Sequence, residues 1–207
     1  MTLHDVNATI KSNPVRMDNC RFIECDFTAK IVNLSSIVCQ RVMKRTNNIT
    51  FSYTECDNIE ELNAGDRELL ISAREAAKNA YAPYSHFKVG AAVRLESGKI
   101  VSGTNIENAA FPSGICAERS ALTNASSNHP GDIPVGLAVA AITDSGLSDD
   151  PVPPCGNCRQ VITEEESRNG RNIRIILGGM NKIKIIDKGE DLLPLTFNKN
   201  NLKVNPR

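Results

Sequence analysis

Apolar positions recur with a helical period between residues 63 and 80. Leu69, Ala73 and Ala76 follow one another at intervals of four and three residues, which places them on one face of a helix. Pro83 ends this helix, because the residue before a proline avoids helical backbone angles. Similar runs predict two further helices, over residues 115–124 and 155–168.

The strand pattern begins with an apolar run over residues 88–95, the turn signal Ser97-Gly98 and a second run over residues 100–105. These two runs predict a β-hairpin. The continuously apolar run over residues 134–142 is typical of a strand buried on both faces of a sheet. Strands that alternate with helices predict an α/β fold, and the hairpin makes its five-stranded sheet a mixed one. The remaining two strands are predicted over residues 173–177 and 183–186.

The first 60 residues do not share this pattern, since short apolar pieces are broken there by Asn, Thr and charged residues. We therefore predict an N-terminal extension over residues 1–60, a folded domain over residues 61–200 and a C-terminal tail over residues 201–207. Residues 49–53 alternate β-forming side chains, which predicts an edge strand. A disordered arm, a targeting segment and an artefact of the gene model are all compatible with the extension.

Composition narrows the class of substrate and the compartment. The 207-residue chain carries 24 basic and 24 acidic residues and has no net charge, and it shows no basic stripe of the kind that binds nucleic acid. We therefore expect a small neutral substrate. The N-terminus lacks the apolar core of a secretory signal, and no run approaches the roughly 18 apolar residues of a membrane span. Seven cysteines, an odd number, then favour reduced thiols in the cytoplasm over disulfides, and we interpret Cys20 and Cys25 as unpaired.

Three cysteines and a glutamate form the candidate chemistry of the chain. Cys116, Cys155 and Cys158 are soft ligands that suit Zn²⁺, and three ligands leave one coordination position open. Zn²⁺ lowers the pKa of a water in that position to about 7, and Glu118 is placed to move the protons of that water. A Cys followed two residues later by Glu, and then by Pro-Cys-x-x-Cys, is the signature of zinc deaminases.

A structural zinc with a fourth ligand and a redox Cys-x-x-Cys pair are the alternatives. Structural zinc sites usually combine two Cys-x₂-Cys pairs, or one such pair with a pair of histidines. The histidines of this chain, His4, His86 and His129, form no pair. A purely structural site also has no use for Glu118, so we favour a catalytic zinc.

Five motifs, spread over about residues 63–197, resemble those of the small homotetrameric cytidine deaminases. This resemblance implies a three-layer α/β/α fold like that of the family, active sites at subunit interfaces, and hydrolysis of cytidine and 2′-deoxycytidine to uridine and 2′-deoxyuridine plus ammonia in pyrimidine salvage. The motifs are Ala80–Ala92, Asn105-Ile106-Glu107-Asn108, Cys116-Ala117-Glu118-Arg119, Pro154–Gln160 and Leu192–Phe197.

For the metal site, the resemblance implies that Cys116, Cys155 and Cys158 bind zinc. Glu118 would be the catalytic proton shuttle, carrying a proton from water to N3 of cytosine and then to the leaving amino group. Arg119 would donate hydrogen bonds to the ligand sulfurs.

For the substrate, the resemblance implies a pocket with a sugar end and a base end. Asn105 and Glu107 would bind the ribose 3′-hydroxyl group, and the backbone N–H of Ala117 would hold the pyrimidine O2. Phe87 would pack in the pocket, and Phe197 would reach the pyrimidine bound by a neighbouring subunit.

The residues themselves leave other interpretations open. Phe87 is also compatible with an ordinary core position, and Phe197 with a lone exposed aromatic. Asn105 and Glu107 share strand parity, so they either enter a pocket together or lie on a wet face. Phe111 stands where the family commonly has Tyr, which removes a polar contact. A deaminase of a related aminopyrimidine nucleoside such as an antibiotic, a nucleic-acid-editing deaminase and a non-catalytic zinc module are the competing functions.

Overall fold

The computed structural model describes residues 45–202. The interpretation of Cys20 and Cys25, and most of the predicted extension, lie outside the described residues. The strands are β1 (Thr54–Cys56), β2 (Lys88–Leu95), β3 (Ile100–Thr104), β4 (Pro134–Thr143), β5 (Gly146–Leu147), β6 (Arg174–Gly178) and β7 (Ile183–Ile186), and the helices are α1 (Ala64–Lys78), α2 (Ala117–Asn128) and α3 (Gly156–Asn169). Short 3₁₀ turns cover Ile59–Glu61, Phe111–Ser113, Gly189–Leu192 and Lys199–Leu202.

The strands form one mixed sheet in the order β1-β7-β6-β4-β2-β3, with β5 paired to β4. Among the strands of residues 45–202, β4 and β6 run parallel and the other pairs are antiparallel. The prediction of a mixed α/β sheet is confirmed. The predicted number of five strands is wrong, because β1 and β5 bring the number to seven. These two strands contain three and two residues, so neither is long enough to show an alternating pattern.

Two hydrophobic clusters, one on each face of the sheet, give the fold three layers. Leu137 and Val139 of β4 belong to the cluster that also contains residues of α2 and α3. Ala138 and Ala140 of the same strand belong to the cluster that contains residues of α1. Successive residues of a strand point to opposite faces, so β4 is buried on both sides, as its continuous apolar run predicts. The three-layer α/β/α architecture is therefore confirmed.

Helix α2, which carries Glu118, packs unusually close to the sheet. A Cβ atom added to Gly103 of β3 would lie 2.3 Å from the backbone nitrogen of Ala121 in α2. Only a glycine allows this approach, because the obstacle is backbone and cannot move aside as a side chain would. Gly103 thereby sets the height of α2 above the sheet.

Within the described residues, the chain from Asn47 onward forms one compact unit. Strand β1 lies in this unit, where it pairs with β7 at the edge of the sheet. Residues 49–53, predicted as an edge strand, contain no strand, and β1 begins directly after them. Among residues 45–202, no helix is both long and apolar enough to cross a membrane.

Candidate active site

Three cysteine thiols meet at the N-termini of two helices. Cys116 is the N-cap of α2, and Cys155 is the N-cap of α3. Cys158 lies one turn into α3 and is fully buried. Burial alone would raise the pKa of the Cys155 thiol, but hydrogen bonds from the backbone N–H groups of Cys158 and Asn157 and from the neighbouring thiols outweigh this effect and lower that pKa. The partial positive charge at each helix N-terminus favours the thiolate form of these residues.

The geometry of the three sulfur atoms fits a zinc ion. Sγ of Cys155 lies 3.4 Å from Sγ of Cys158 and 3.8 Å from Sγ of Cys116, and all three lie within 4.8 Å of one another. Three sulfurs at about 2.3 Å from a tetrahedral Zn²⁺ would lie about 3.8 Å apart. Burial raises the pKa of the Cys116 and Cys158 thiols, and a cation among them would offset that effect. Cys116, Cys155 and Cys158 thus form a three-thiol set able to hold zinc.

Glu118 lies on the first turn of α2, beside this set. Its side chain is only 5% exposed. Burial raises the pKa of its carboxyl group, and the Cys158 thiol and the charge of Arg119 oppose that rise. A buried carboxyl group with a raised pKa is suited to both accepting and donating a proton near neutral pH.

A cavity of about 630 Å³ connects the metal set with the other predicted substrate residues. Cys116, Cys155 and Glu118 line its wall together with Ala117 and hydrophobic side chains. A volume of this size is typical of sites that enclose a small organic molecule. Its further lining includes Phe87, Asn105, Glu107, Phe111 and Val139.

Asn105 and Glu107 follow β3 and face the loop before β2. The Asn105 side chain accepts a hydrogen bond from the Val89 N–H at 2.7 Å and donates one to the Phe87 carbonyl at 2.9 Å. The Glu107 carboxylate accepts one from the Tyr84 N–H at 2.9 Å. Both residues line the same cavity.

Ser85 donates two further hydrogen bonds to the Glu107 carboxylate. Its hydroxyl group donates to Oε1 of Glu107, and its N–H donates to Oε2 at 3.3 Å. These bonds and that of Tyr84 lower the pKa of the Glu107 carboxyl group. Sequence reasoning did not single out Ser85, because its contact with Glu107 spans 22 residues and follows no motif spacing.

Four further residues singled out in the sequence lie at or near the cavity: Ala117, Phe87, Arg119 and Phe111. Ala117 is the first residue of α2, where a backbone N–H has no partner within the helix. Phe87 is half-buried in the cavity wall. Within residues 45–202, no hydrogen bond joins Arg119 to a cysteine sulfur, and its influence on the site is the charge that it places near Glu118. Phe111 is exposed and packs edge-on against Tyr84, with ring centroids 6.1 Å apart.

Phe197 is the predicted substrate residue that does not line the cavity of the described chain. Its side chain is 59% exposed. The backbone carbonyl of Phe197 accepts a hydrogen bond from Nε2 of Gln160 in α3, at 2.8 Å. The backbone of the tail is thus held near α3, and Phe197 does not line the cavity of its own chain.

Known proteins resemble this chain over the segment that carries the site. The family described as the cytidine and deoxycytidylate deaminase zinc-binding region matches residues 64–169, which include all three cysteines and Glu118. A cytidine deaminase of Halalkalibacterium halodurans is 46% identical over 100 residues, which cover 48% of this chain and 71% of that protein. A cytidine deaminase of Sporosarcina psychrophila is 45% identical over 97 residues, covering 47% of this chain and 67% of that protein.

The structural comparison agrees with the sequence comparison. The crystal structure of a cytidine deaminase from Burkholderia pseudomallei matches with a TM-score of 0.54 and 38% sequence identity, covering 63% of this chain and 97% of that one. The matched family covers about half of the chain and contains the whole three-thiol set. The chain belongs to the cytidine and deoxycytidylate deaminase family, and its zinc-binding region is the segment that carries the cavity's metal ligands.

Proposed function

We propose that the protein is a zinc-dependent enzyme that hydrolyses cytidine and 2′-deoxycytidine to uridine and 2′-deoxyuridine with release of ammonia, as a step of pyrimidine salvage. The observation that carries the proposal is the presence of a three-thiol set and a buried glutamate on the wall of one cavity. The family relationship supports the same reaction.

The chemistry requires a hydrolytic water, a proton carrier and a leaving amine. Cys116, Cys155 and Cys158 would hold Zn²⁺, which when bound would supply an activated water at neutral pH. Glu118 takes one proton and donates it to N3 of the pyrimidine, which makes C4 electrophilic. The oxygen of the water then adds at C4. Glu118 finally carries the remaining proton of that oxygen to the exocyclic nitrogen. The C4–N bond then breaks, the nitrogen leaves as ammonia and the oxygen at C4 becomes the carbonyl of the product.

The pair Asn105 and Glu107 is suited to recognise a sugar hydroxyl group. Nδ2 of Asn105 has two hydrogens, and the Phe87 carbonyl takes only one of them. Glu107 is ionised, because its pKa is lowered, and therefore only accepts hydrogen bonds. A hydroxyl group both donates and accepts, so the 3′-hydroxyl of a nucleoside satisfies the free donor and the free acceptor together.

The base end of the cavity is formed by α2 and the loop before β2. The N–H of Ala117, at the positive end of α2, is suited to donate to the pyrimidine O2. The half-buried ring of Phe87 supplies an apolar surface for the nucleoside. Arg119 contributes positive charge near Glu118, which lies beside the metal site.

The tetrameric assembly is part of the proposal. Phe197 exposes its ring, and its carbonyl is tied to α3 by Gln160. Such a ring is suited to close the cavity of a neighbouring subunit, where it would cover the pyrimidine and exclude water. Each site would then be complete only in the assembled homotetramer.

The domain division and the compartment also remain proposals. We place the catalytic domain at residues 61–200, between an extension (1–60) and a tail (201–207), in a cytoplasm that keeps the thiols reduced. Deletion of residues 1–46 leaves β1 in place, whereas deletion of residues 1–60 removes it. Turnover by both truncated proteins supports a boundary near 61, whereas turnover by only the longer one moves the boundary to 47.

An ultraviolet assay of the pure protein tests the function. Cytidine, 2′-deoxycytidine, cytosine and dCMP are incubated with the protein, with and without a zinc chelator. We expect the absorbance change of deamination with cytidine and 2′-deoxycytidine but not with cytosine or dCMP. We expect the zinc chelator to abolish that change. Turnover of dCMP but not of 2′-deoxycytidine would instead indicate a nucleotide deaminase.

A further inference from the structure

We propose that Ser85 is a positioning residue for sugar recognition, because its hydroxyl group fixes the one carboxylate oxygen of Glu107 that is left for a ligand. This inference rests on the proposed function. It adds a residue to the site and predicts a discrimination between nucleosides with and without a 3′-hydroxyl group.

Three groups are joined in one chain of hydrogen bonds. The Phe87 N–H donates to Oγ of Ser85 at 3.1 Å. The same hydroxyl group donates its hydrogen to Oε1 of Glu107. Ser85 therefore links the loop that carries Phe87 to the carboxylate at the end of β3, and both of these residues line the cavity.

Counting acceptor positions shows where a ligand hydroxyl group has room. An ionised carboxylate offers about four lone-pair positions, two on each oxygen. On Glu107, Oε2 already accepts the N–H groups of Tyr84 and Ser85, so both of its positions are in use. Oε1 accepts the Ser85 hydroxyl and retains one free position. A substrate hydroxyl must therefore bind the oxygen that Ser85 holds.

The backbone conformation of the loop serves this arrangement. His86, between Ser85 and Phe87, has a φ of 56°, in the left-handed region that non-glycine residues rarely adopt. Its N–H donates to the Ala82 carbonyl at 3.1 Å, which closes the turn. The turn brings the Phe87 N–H back to the hydroxyl group of a residue only two positions earlier. Without that hydroxyl, the turn loses the acceptor of the Phe87 N–H and Oε1 loses its fixed donor.

The test compares two substrates in the same variant. The wild type and Ser85→Ala are assayed with 2′-deoxycytidine and with 2′,3′-dideoxycytidine, which lacks the 3′-hydroxyl. We expect Ser85→Ala to raise KM for 2′-deoxycytidine about tenfold with kcat changed less than about twofold, the effect of losing one hydrogen bond to a charged group. For 2′,3′-dideoxycytidine we expect a change of less than about threefold in kcat/KM.

Two further variants separate positioning from a general effect on folding. Ser85→Thr retains a hydroxyl group and is expected to restore KM, and Ser85→Cys keeps the size of the side chain with a weaker donor and is expected to lie in between. Ser102→Ala, at an exposed position of β3, is the control and should match the wild type.

Each outcome decides the matter. An equal loss with both substrates overturns the proposal, because Ser85 would then support the fold and not the sugar contact. An unchanged KM for 2′-deoxycytidine in Ser85→Ala and Ser85→Cys also overturns it. If the wild type deaminates neither nucleoside, the proposed function itself fails, which is a different result from an active wild type with an indifferent Ser85.

Discussion

Cys116 and Cys155 occupy the same position in two different helices, the N-cap, and their sulfur atoms lie 3.8 Å apart. The two helix N-termini therefore point at one spot on the cavity wall. This convergence explains how residues 39 positions apart in the chain form one ligand set. It also makes the metal site dependent on the packing of α2 and α3.

Substitution of Cys158, the buried member of the three-thiol set, should remove the zinc. Cys158→Ser is expected to contain less than about 0.1 zinc per chain, against about one in the wild type, because two thiolates are a weak site. Atomic emission on the purified proteins measures this content. Cys56→Ala is the matched control, since Cys56 is also buried but lies outside the three-thiol set. Full zinc in Cys158→Ser would contradict the assignment.

The position of α2 can be disturbed without touching the site. Gly103→Ala places a Cβ 2.3 Å from the backbone of Ala121, so α2 must move away from the sheet. We expect the free energy of unfolding to fall by about 1–3 kcal/mol, as in other overpacked cores, and turnover to fall with it. Denaturant titration measures the change. Gly156→Ala meets no atom within 4 Å and should lose no stability; equal effects would refute the close packing.

Titration of Glu107 should reveal its partner. Hydrogen bonds from the Ser85 hydroxyl group and, to a smaller extent, from the Tyr84 N–H lower the pKa of Glu107. In the folded protein this pKa therefore lies below its value in the unfolded chain. The stabilisation from these bonds is thus present above about pH 4.3 and is lost as the pH falls through the lowered folded value. In ¹³C spectra of glutamate-labelled protein, Ser85→Ala should raise this pKa. Ser102→Ala should leave it unchanged, and an unchanged value in both variants would contradict the hydrogen bond.

Shared sites should allow two impaired variants to rescue each other. Phe197→Ala is expected to lose about 5–150-fold in kcat/KM, the effect of one aromatic stacking contact, and Glu118→Gln should be nearly inactive. In mixed tetramers formed at random, about a quarter of the sites would combine an intact Glu118 with a neighbour's intact Phe197. Activity of that order in the mixture supports the shared cavity.

The control for this mixture is a second exposed aromatic residue. Phe51 is 51% exposed, close to the 59% of Phe197, and does not line the catalytic cavity. Phe51→Ala should keep full activity alone. Mixed Phe197→Ala and Glu118→Gln proteins that show no more activity than the separate samples would assign Phe197 to an ordinary surface position.

The periodic elements could be predicted from the sequence to within about four residues at their ends. β2 is Lys88–Leu95 as predicted, because its eight residues are mostly apolar and most of them are buried. α1 begins after Asn63, whose side chain accepts from the Asp66 N–H at 2.8 Å and so caps the helix. The strands that were missed, β1 and β5, depend on pairing with β7 and β4, and no local pattern encodes such contacts.

The metal set could also be predicted, since its ligands stand in a motif with fixed chemistry. The hydrogen bonds that hold Asn105 and Glu107 at the sugar end of the cavity could not be predicted. The sequence shows Asn105 and Glu107 with equal strand parity, but it does not show that both are tied to the loop before β2. Ser85 became recognisable only when the fold brought it to Glu107. Contacts between distant loops depend on the tertiary structure, whereas a ligand motif depends on local spacing.

The most direct test is the variant Glu118→Gln, which retains the size of the side chain and removes the proton carrier. Turnover of 2′-deoxycytidine and zinc content are measured on the same sample. We expect kcat of Glu118→Gln to fall by about 10²–10⁴-fold while about one zinc per chain remains bound. Turnover within about threefold of the wild type, with zinc fully bound, would contradict the role of Glu118 and with it the proposed reaction.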